Sequence, residues 1–195
     1  MDFEVVKKYV LEQLKTGLSD SLTYHSVDHT LDVLDSAVNI CKLEGVNGQD
    51  LCLVKTAALF HDLGFLETYD GHEDLSIQKA KEILPQHGYS NDDIEKIVGM
   101  INSTRIPQTP KNKLEEILAD ADLDYLGRDD LFLIGQRLQY EWKLWGKVSS
   151  LREWHEKQLG FIKSHNYFTE SSKKLRNKKK QENIEEIETL LCNKN

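Results

Sequence analysis

Apolar residues in this chain recur at intervals of three and four along most of its length. No run of four to eight residues alternates apolar with polar while enriched in Val, Ile and Thr. That regularity restricts the fold to an all-α class, a single compact helical bundle. It predicts helices near residues 2–16, 27–43, 50–62, 73–84, 91–103, 113–126, 129–144, 150–164 and 169–192. The three prolines, Pro85, Pro107 and Pro110, fall between predicted helices, and the joints are short enough for the helices to pack on one another. No internal repeat of solenoid length is visible. A chain of 195 residues buries roughly 70% of its unfolded surface, so it needs no disulfide framework. Cys41, Cys52 and Cys192 are an odd, widely spaced set, and they are expected to be reduced thiols of a cytoplasmic protein. The start of the chain lacks the order of a signal peptide, and no apolar run approaches the ~20 residues of a membrane span. With 33 acidic against 25 basic residues and a net charge of -8, the chain would repel a nucleic-acid backbone except at a local basic patch.

Three segments carry residues suited to chemistry. In YHSVDHTLDVLDSA (24–37), Ser26 is placed to cap a helix, and His29 shares a row with Val33, Ala37 and Ile40. His29 is therefore either a core histidine or a metal ligand. In LCLVKTAALFHDLGF (51–65), a helix apolar on nearly all sides ends in His61 and Asp62 before Gly64. A carboxylate at that place conflicts with the helix dipole and with its apolar surroundings. A bound cation resolves the conflict, and so does solvation of an exposed helix end. In KLEEILADADLDYLG (113–127), Leu114, Ile117, Leu118, Ala121 and Tyr125 define the apolar side. At about 100° per residue, Asp122 and Asp124 lie about 80° to either side of its centre, while Asp120 turns toward solvent. The three segments together offer His, His-Asp and Asp from separate helices, a nitrogen and oxygen set suited to a divalent transition metal.

This order of residues resembles the HD superfamily of metal-dependent phosphohydrolases over roughly residues 20–130. The matches are His29 in HTLDV, His61 and Asp62 in ALFHDLG, and Asp122 in DADLDYLG, with Asp124 as the alternative for the last. The resemblance implies that His29, His61, Asp62 and Asp122 bind the metal, with manganese, magnesium, iron, cobalt and nickel all open. It also implies an HD domain at 1–130, with the residues from 131 to 195 forming a C-terminal helical extension packed on it. The string YHSVDHTLDV is further similar to the Tyr-His-Asn-x-x-His-x-x-Asp-Val signature of cyclic-nucleotide phosphodiesterases, which implies His25 as the general acid. Ser26 stands in place of the Asn and the chain is much shorter than those catalytic domains, so cyclic-nucleotide specificity does not carry over. The sequence HDLGFLETY also lacks the Glu-Asp pair that follows the doublet in guanosine-tetraphosphate hydrolases of the superfamily.

The expected activity is hydrolysis of a phosphate ester on a nucleotide or related small metabolite. Asp62 serves as ligand and proton acceptor, and His25 as proton donor. His72 and Glu73 are further catalytic candidates, able to orient water, contact phosphate or bind a second metal; helix capping is their other reading. Arg105, Lys111, Lys113 and Arg128 read as surface charge around the third segment. His87, His155 and His165 read as structural, Trp142, Trp145 and Trp154 as packing residues, and 173–191 as a solvated terminal helix. Two alternatives stand beside this: a di-iron oxygenase of the same superfamily, and a non-catalytic nucleotide-sensing module. A homo-oligomer is compatible with all of them.

Overall fold

The helix at the centre is the one apolar on all sides. α3 (Gly48–Phe60) buries Leu53, Val54 and the run Ala57 to Phe60, and its two alanines let neighbours approach closely. Around it pack α1 (Phe3–Gly17), α2 (Val27–Leu43), α5 (Asn91–Ser103) and α6 (Lys113–Asp122), with α4 (His72–Ile83) against α5. Their inward rows form one continuous core, including Val6, Leu14, Ile40, Met100, Ile101 and Leu118. Burying each large aliphatic of this kind stabilises the fold by about 1.5–3 kcal/mol. The computed structural model describes residues 1–192, and no strand occurs among them. The all-α expectation is met; the last three residues of the expected extension lie outside the described residues.

Sequence-local devices fix the helix starts. Ser26 accepts a hydrogen bond from the His29 amide, as its capping position predicts. Ser90 and Asp93 cap α5 reciprocally, and Asn112 accepts from the amides of Leu114 and Glu115 at the start of α6. The last three helices, α7 (Leu131–Leu144), α8 (Leu151–Ser164) and α9 (Glu170–Cys192), gather a second cluster. In it Leu131, Ile162, Ile184 and Ile187 meet Tyr24, Leu123, Tyr125 and Leu126.

Two predicted helices end earlier than the periodicity suggests. α3 stops at Phe60 and leaves His61 and Asp62 just beyond it, followed by a 3₁₀ turn at Leu63–Leu66. α6 stops at Asp122 and continues as a 3₁₀ turn at Asp124–Gly127. There the Tyr167 hydroxyl donates to the carbonyls of Leu123 and Asp124, so the helix-end acceptors find a partner outside the helix.

Three expectations are corrected here. Asp120 does not turn to solvent: it is fully buried and accepts hydrogen bonds from the amides of Phe168 and Thr169, both at 2.8 Å, and from the Thr169 hydroxyl at 2.7 Å. α6 is covered on two sides, one by the core and one by the segment entering α9, and a single apolar stripe reveals only the first. Nor is α9 merely solvated, because it buries Ser172, Lys180, Asn183, Ile184 and Ile187. The Lys180 ammonium donates to the His165 carbonyl, and Asn183 donates to the carbonyls of Leu126 and Arg128. Arg128 is more than surface charge, pairing with Asp32 and Asp130 at 2.8 Å each.

Asp120→Ala should therefore lower unfolding stability by about 2–4 kcal/mol, since it strands the amides of Phe168 and Thr169. Urea denaturation checks this, and an unchanged midpoint would show that the latch contributes nothing.

Candidate metal centre

Four of the residues singled out in the sequence meet at the end of α3. His29 comes from the first turn of α2, His61 and Asp62 from the residues after α3, and Asp122 from the last turn of α6. The Nε2 atoms of His29 and His61 are 3.3 Å apart. Asp62 Oδ2 lies 3.3 Å from the first and 3.2 Å from the second, and Asp122 Oδ1 lies 3.3 and 3.5 Å from them. The ligand atoms of His29, His61 and Asp122 all fall within 4.8 Å of one another.

These spacings suit a shared cation. Ligand atoms bonded at about 2.0–2.2 Å around a tetrahedral or octahedral ion stand roughly 3.0–3.5 Å apart. Asp62 Oδ2 is buried and no hydrogen bond reaches it, which leaves a charged oxygen lacking the partner that burial demands. The His61 Nδ1 is 2.8 Å from the Ala58 carbonyl, which fixes that nitrogen as the protonated one and turns the Nε2 lone pair toward the cluster.

Without an ion, protons balance the charge. Burial pulls the His29 imidazole down, but its contacts with Asp122 and Asp62 outweigh this and raise it to about 9. His61 is likewise disfavoured by burial yet raised well above its usual value, chiefly by the Asp62 charge. Burial pushes both carboxylates up; the imidazoles outweigh it, holding Asp62 well below the ordinary range and Asp122 at about 2. Two imidazolium charges thus offset two carboxylates, and a dication can replace the two protons.

A family model described as "HD domain" matches residues 26–124, more than half of the chain. The chain belongs to the HD domain family. Three solved structures share the HD fold with it. One is a predicted HD superfamily hydrolase from an uncultured Thermotogales bacterium, 19% identical, with a TM-score of 0.65 over 94% of this chain and 90% of that one. Bacillus subtilis YpgQ in complex with ADP is 20% identical, with a TM-score of 0.67 over 96% of this chain and 95% of its own. A protein of Lactobacillus plantarum is 17% identical, with a TM-score of 0.67 over 97% and 96%. No curated protein matches the chain.

The remaining candidates divide. Asp124 is turned away from the HD cluster, its carboxylate gripped by Arg176 at 2.7 and 2.8 Å. His72 joins the cluster from the outer side, its Nε2 3.4 Å from Asp62 Oδ1. It reaches that place because Gly64 lies under it: a Cβ there would stand 1.9 Å from the His72 carbonyl oxygen. Burial lowers the His72 pKa, but Asp62 more than compensates and raises it. Glu73 lies beside His72, 3.7 Å from its Nδ1 and 3.7 Å from Arg105. His25 stacks on Phe65 and places Nδ1 2.5 Å from Glu141 Oε1.

Glu141 went unrecognised in the sequence. It is fully buried on α7, and its two oxygens also accept from the amides of Tyr24 and His25 and from the Tyr69 hydroxyl. Its signal was present: Leu131, Ile134, Leu138 and Glu141 share one helical row, so a carboxylate continues an apolar stripe. A cavity of about 310 Å³ opens onto His25, Asp62, His72, Glu73 and Asp122. Trp142 and Trp154, read as packing residues, also line it.

Manganese uptake should strengthen as pH rises toward about 9, because below that value the ion must displace the His29 proton, and it must displace as well the proton that Asp62 holds on His61. Calorimetric titration at several pH values should show apparent affinity rising about tenfold per pH unit for each proton displaced; a flat profile would contradict the exchange. Asp122→Ala should abolish the manganese-induced rise in melting temperature, whereas Asp124→Asn should keep the rise while lowering the metal-free and metal-loaded values alike. Loss of the rise in Asp124→Asn alone would reverse the assignment.

Proposed function

We propose that the protein hydrolyses a phosphate ester of a nucleotide or related small metabolite, with a divalent ion held by His29, His61, Asp62 and Asp122. The observation that carries this reading is the meeting of two imidazole nitrogens with two carboxylate oxygens at 3.2–3.5 Å, both carboxylates belonging to residues that line one cavity. When bound, the ion supplies Lewis acidity to a phosphoryl oxygen and to a water, and manganese, magnesium, iron, cobalt or nickel suits that donor set.

The chain's own groups do the rest. Asp62 directs Oδ2 at the imidazoles and Oδ1 at His72, so one carboxylate serves the ion and faces the cavity side. Oδ1 of Asp62, assisted by Glu73, accepts a proton from the attacking water. His72, its pKa raised, presents positive charge to the phosphoryl oxygens. Burial pushes the Glu141 carboxyl up, yet the His25 contact outweighs it and keeps the group ionised. An ionised Glu141 holds the Nδ1 proton of His25 and leaves Nε2 as the ring nitrogen available to substrate. As the water oxygen bonds to phosphorus and the ester P–O bond breaks, His25 entering the step doubly protonated gives its Nε2 proton to the departing oxygen and keeps the Nδ1 proton that faces Glu141.

A nucleotide is supported by the likeness to the Bacillus subtilis protein solved with ADP. It is supported also by a cavity of about 310 Å³, near the lower bound of small-molecule sites, which are roughly 300–1,000 Å³. The oxygenase alternative needs several further nitrogen ligands beside the first set. Among the described residues only His72 stands next to Asp62 for that purpose, and His25 is committed to Glu141.

His25→Ala should retain metal and lose about 10²–10⁴-fold in turnover. Glu141→Gln should also keep its metal while turnover falls. Phosphate release across a panel of nucleotides and simple esters, with elemental analysis of each variant, checks both. Unchanged turnover in His25→Ala would remove it from the mechanism.

A further inference from the structure

The cavity has two chemistries. Beyond the charged groups, its wall is built by α7 and α8 from Leu138, Trp142, Trp154 and Phe161. Among these stands one amide, Gln158. It is 6% exposed, and its Oε1 is buried with no hydrogen-bond partner. It continues a buried row on α8 with Trp154 and Ile162, where a Leu or Met would pack without leaving a polar group unpaired. Gly135 on α7 makes room for it, since a Cβ there would stand 2.7 Å from Gln158 Nε2. Two buried oxygens without partners therefore belong to residues lining one cavity, Asp62 Oδ2 and Gln158 Oε1. The first awaits a cation; the second awaits a hydrogen-bond donor on whatever enters.

We infer that Gln158 is the specificity-determining residue of this site, its amide reading the hydrogen-bonding edge of a nucleobase joined to the phosphate. The inference rests on the phosphohydrolase reading above and names what that site selects. A purely apolar group would fill the aromatic wall but leave the amide unpaired. A bare sugar would bring several hydroxyls against Leu and Trp with a single amide to receive them. A flat heteroaromatic ring meets both conditions, giving its faces to the aromatic side chains and its donor-bearing rim to Gln158.

The test is calorimetric titration of the manganese-loaded, full-length protein with methylene phosphonate analogues, which ester hydrolysis does not consume. The probes are analogues of the four common nucleoside 5′-monophosphates and of ribose 5-phosphate, which lacks a base. The wild type should bind at least one base-bearing analogue about tenfold or more tighter than the base-free one, and Gln158→Met should erase that advantage. The melting temperature of Gln158→Met should hold or rise, because an amide paired within the fold would instead be missed. Gln158→Asn, which keeps the amide on a shorter arm, should retain part of the advantage and supplies the comparison if the Met variant does not fold. An advantage preserved in Gln158→Met, undiminished in Gln158→Asn, or absent from the wild type, overturns the proposal. Base-dependent binding that Gln158→Met abolishes, with no phosphate released from any ester by the wild type, would uphold Gln158 and overturn the hydrolase reading instead.

Discussion

Two carboxylates, each held within 3.5 Å of the same two imidazole nitrogens inside a protein, are a constraint before they are a site. In a low-dielectric interior, the carboxylates of Asp62 and Asp122 repel each other and lack water, and only positive charge between them makes the arrangement tolerable. Protons on His29 and His61 provide that charge, and a dication can take their place. The local irregularities of the fold serve this junction. α3 ends at Phe60 so that His61 and Asp62 leave the helix where α2 and α6 arrive, and Gly64 lets α4 begin against them.

The second constraint lies across the cavity. Glu141 accepts four hydrogen bonds and ties α7 to the backbone at Tyr24 and His25 and to the Tyr69 hydroxyl. The HD match ends at residue 124, yet the group that orients His25 and the amide that faces the cavity come from later helices. Asp120 and Asp124 on one side, and Thr169 and Arg176 on the other, join those helices to the matched region.

Much of this was legible in the sequence because it is local. Helix periodicity, the Ser26 cap and the His-Asp doublet after an all-apolar helix are read within one or two turns. The resemblance then favoured Asp122 over Asp124, two aspartates that helical angle alone did not separate. What stayed hidden depends on a second layer of packing. Asp120 looked solvent-facing because the segment that covers it lies 48 residues further along the chain. Glu141 and Gln158 sit in apolar rows, where a lone polar residue reads as an interruption until the cavity beside it is known. Asp124 was set apart from Asp122 only by its arginine on α9.

Anomalous diffraction from crystals grown with manganese tests the central claim most directly. The account predicts one strong peak per chain, within about 2.5 Å of His29 Nε2, His61 Nε2, Asp62 Oδ2 and Asp122 Oδ1. A fully occupied ion elsewhere, or none at saturating manganese, would contradict it.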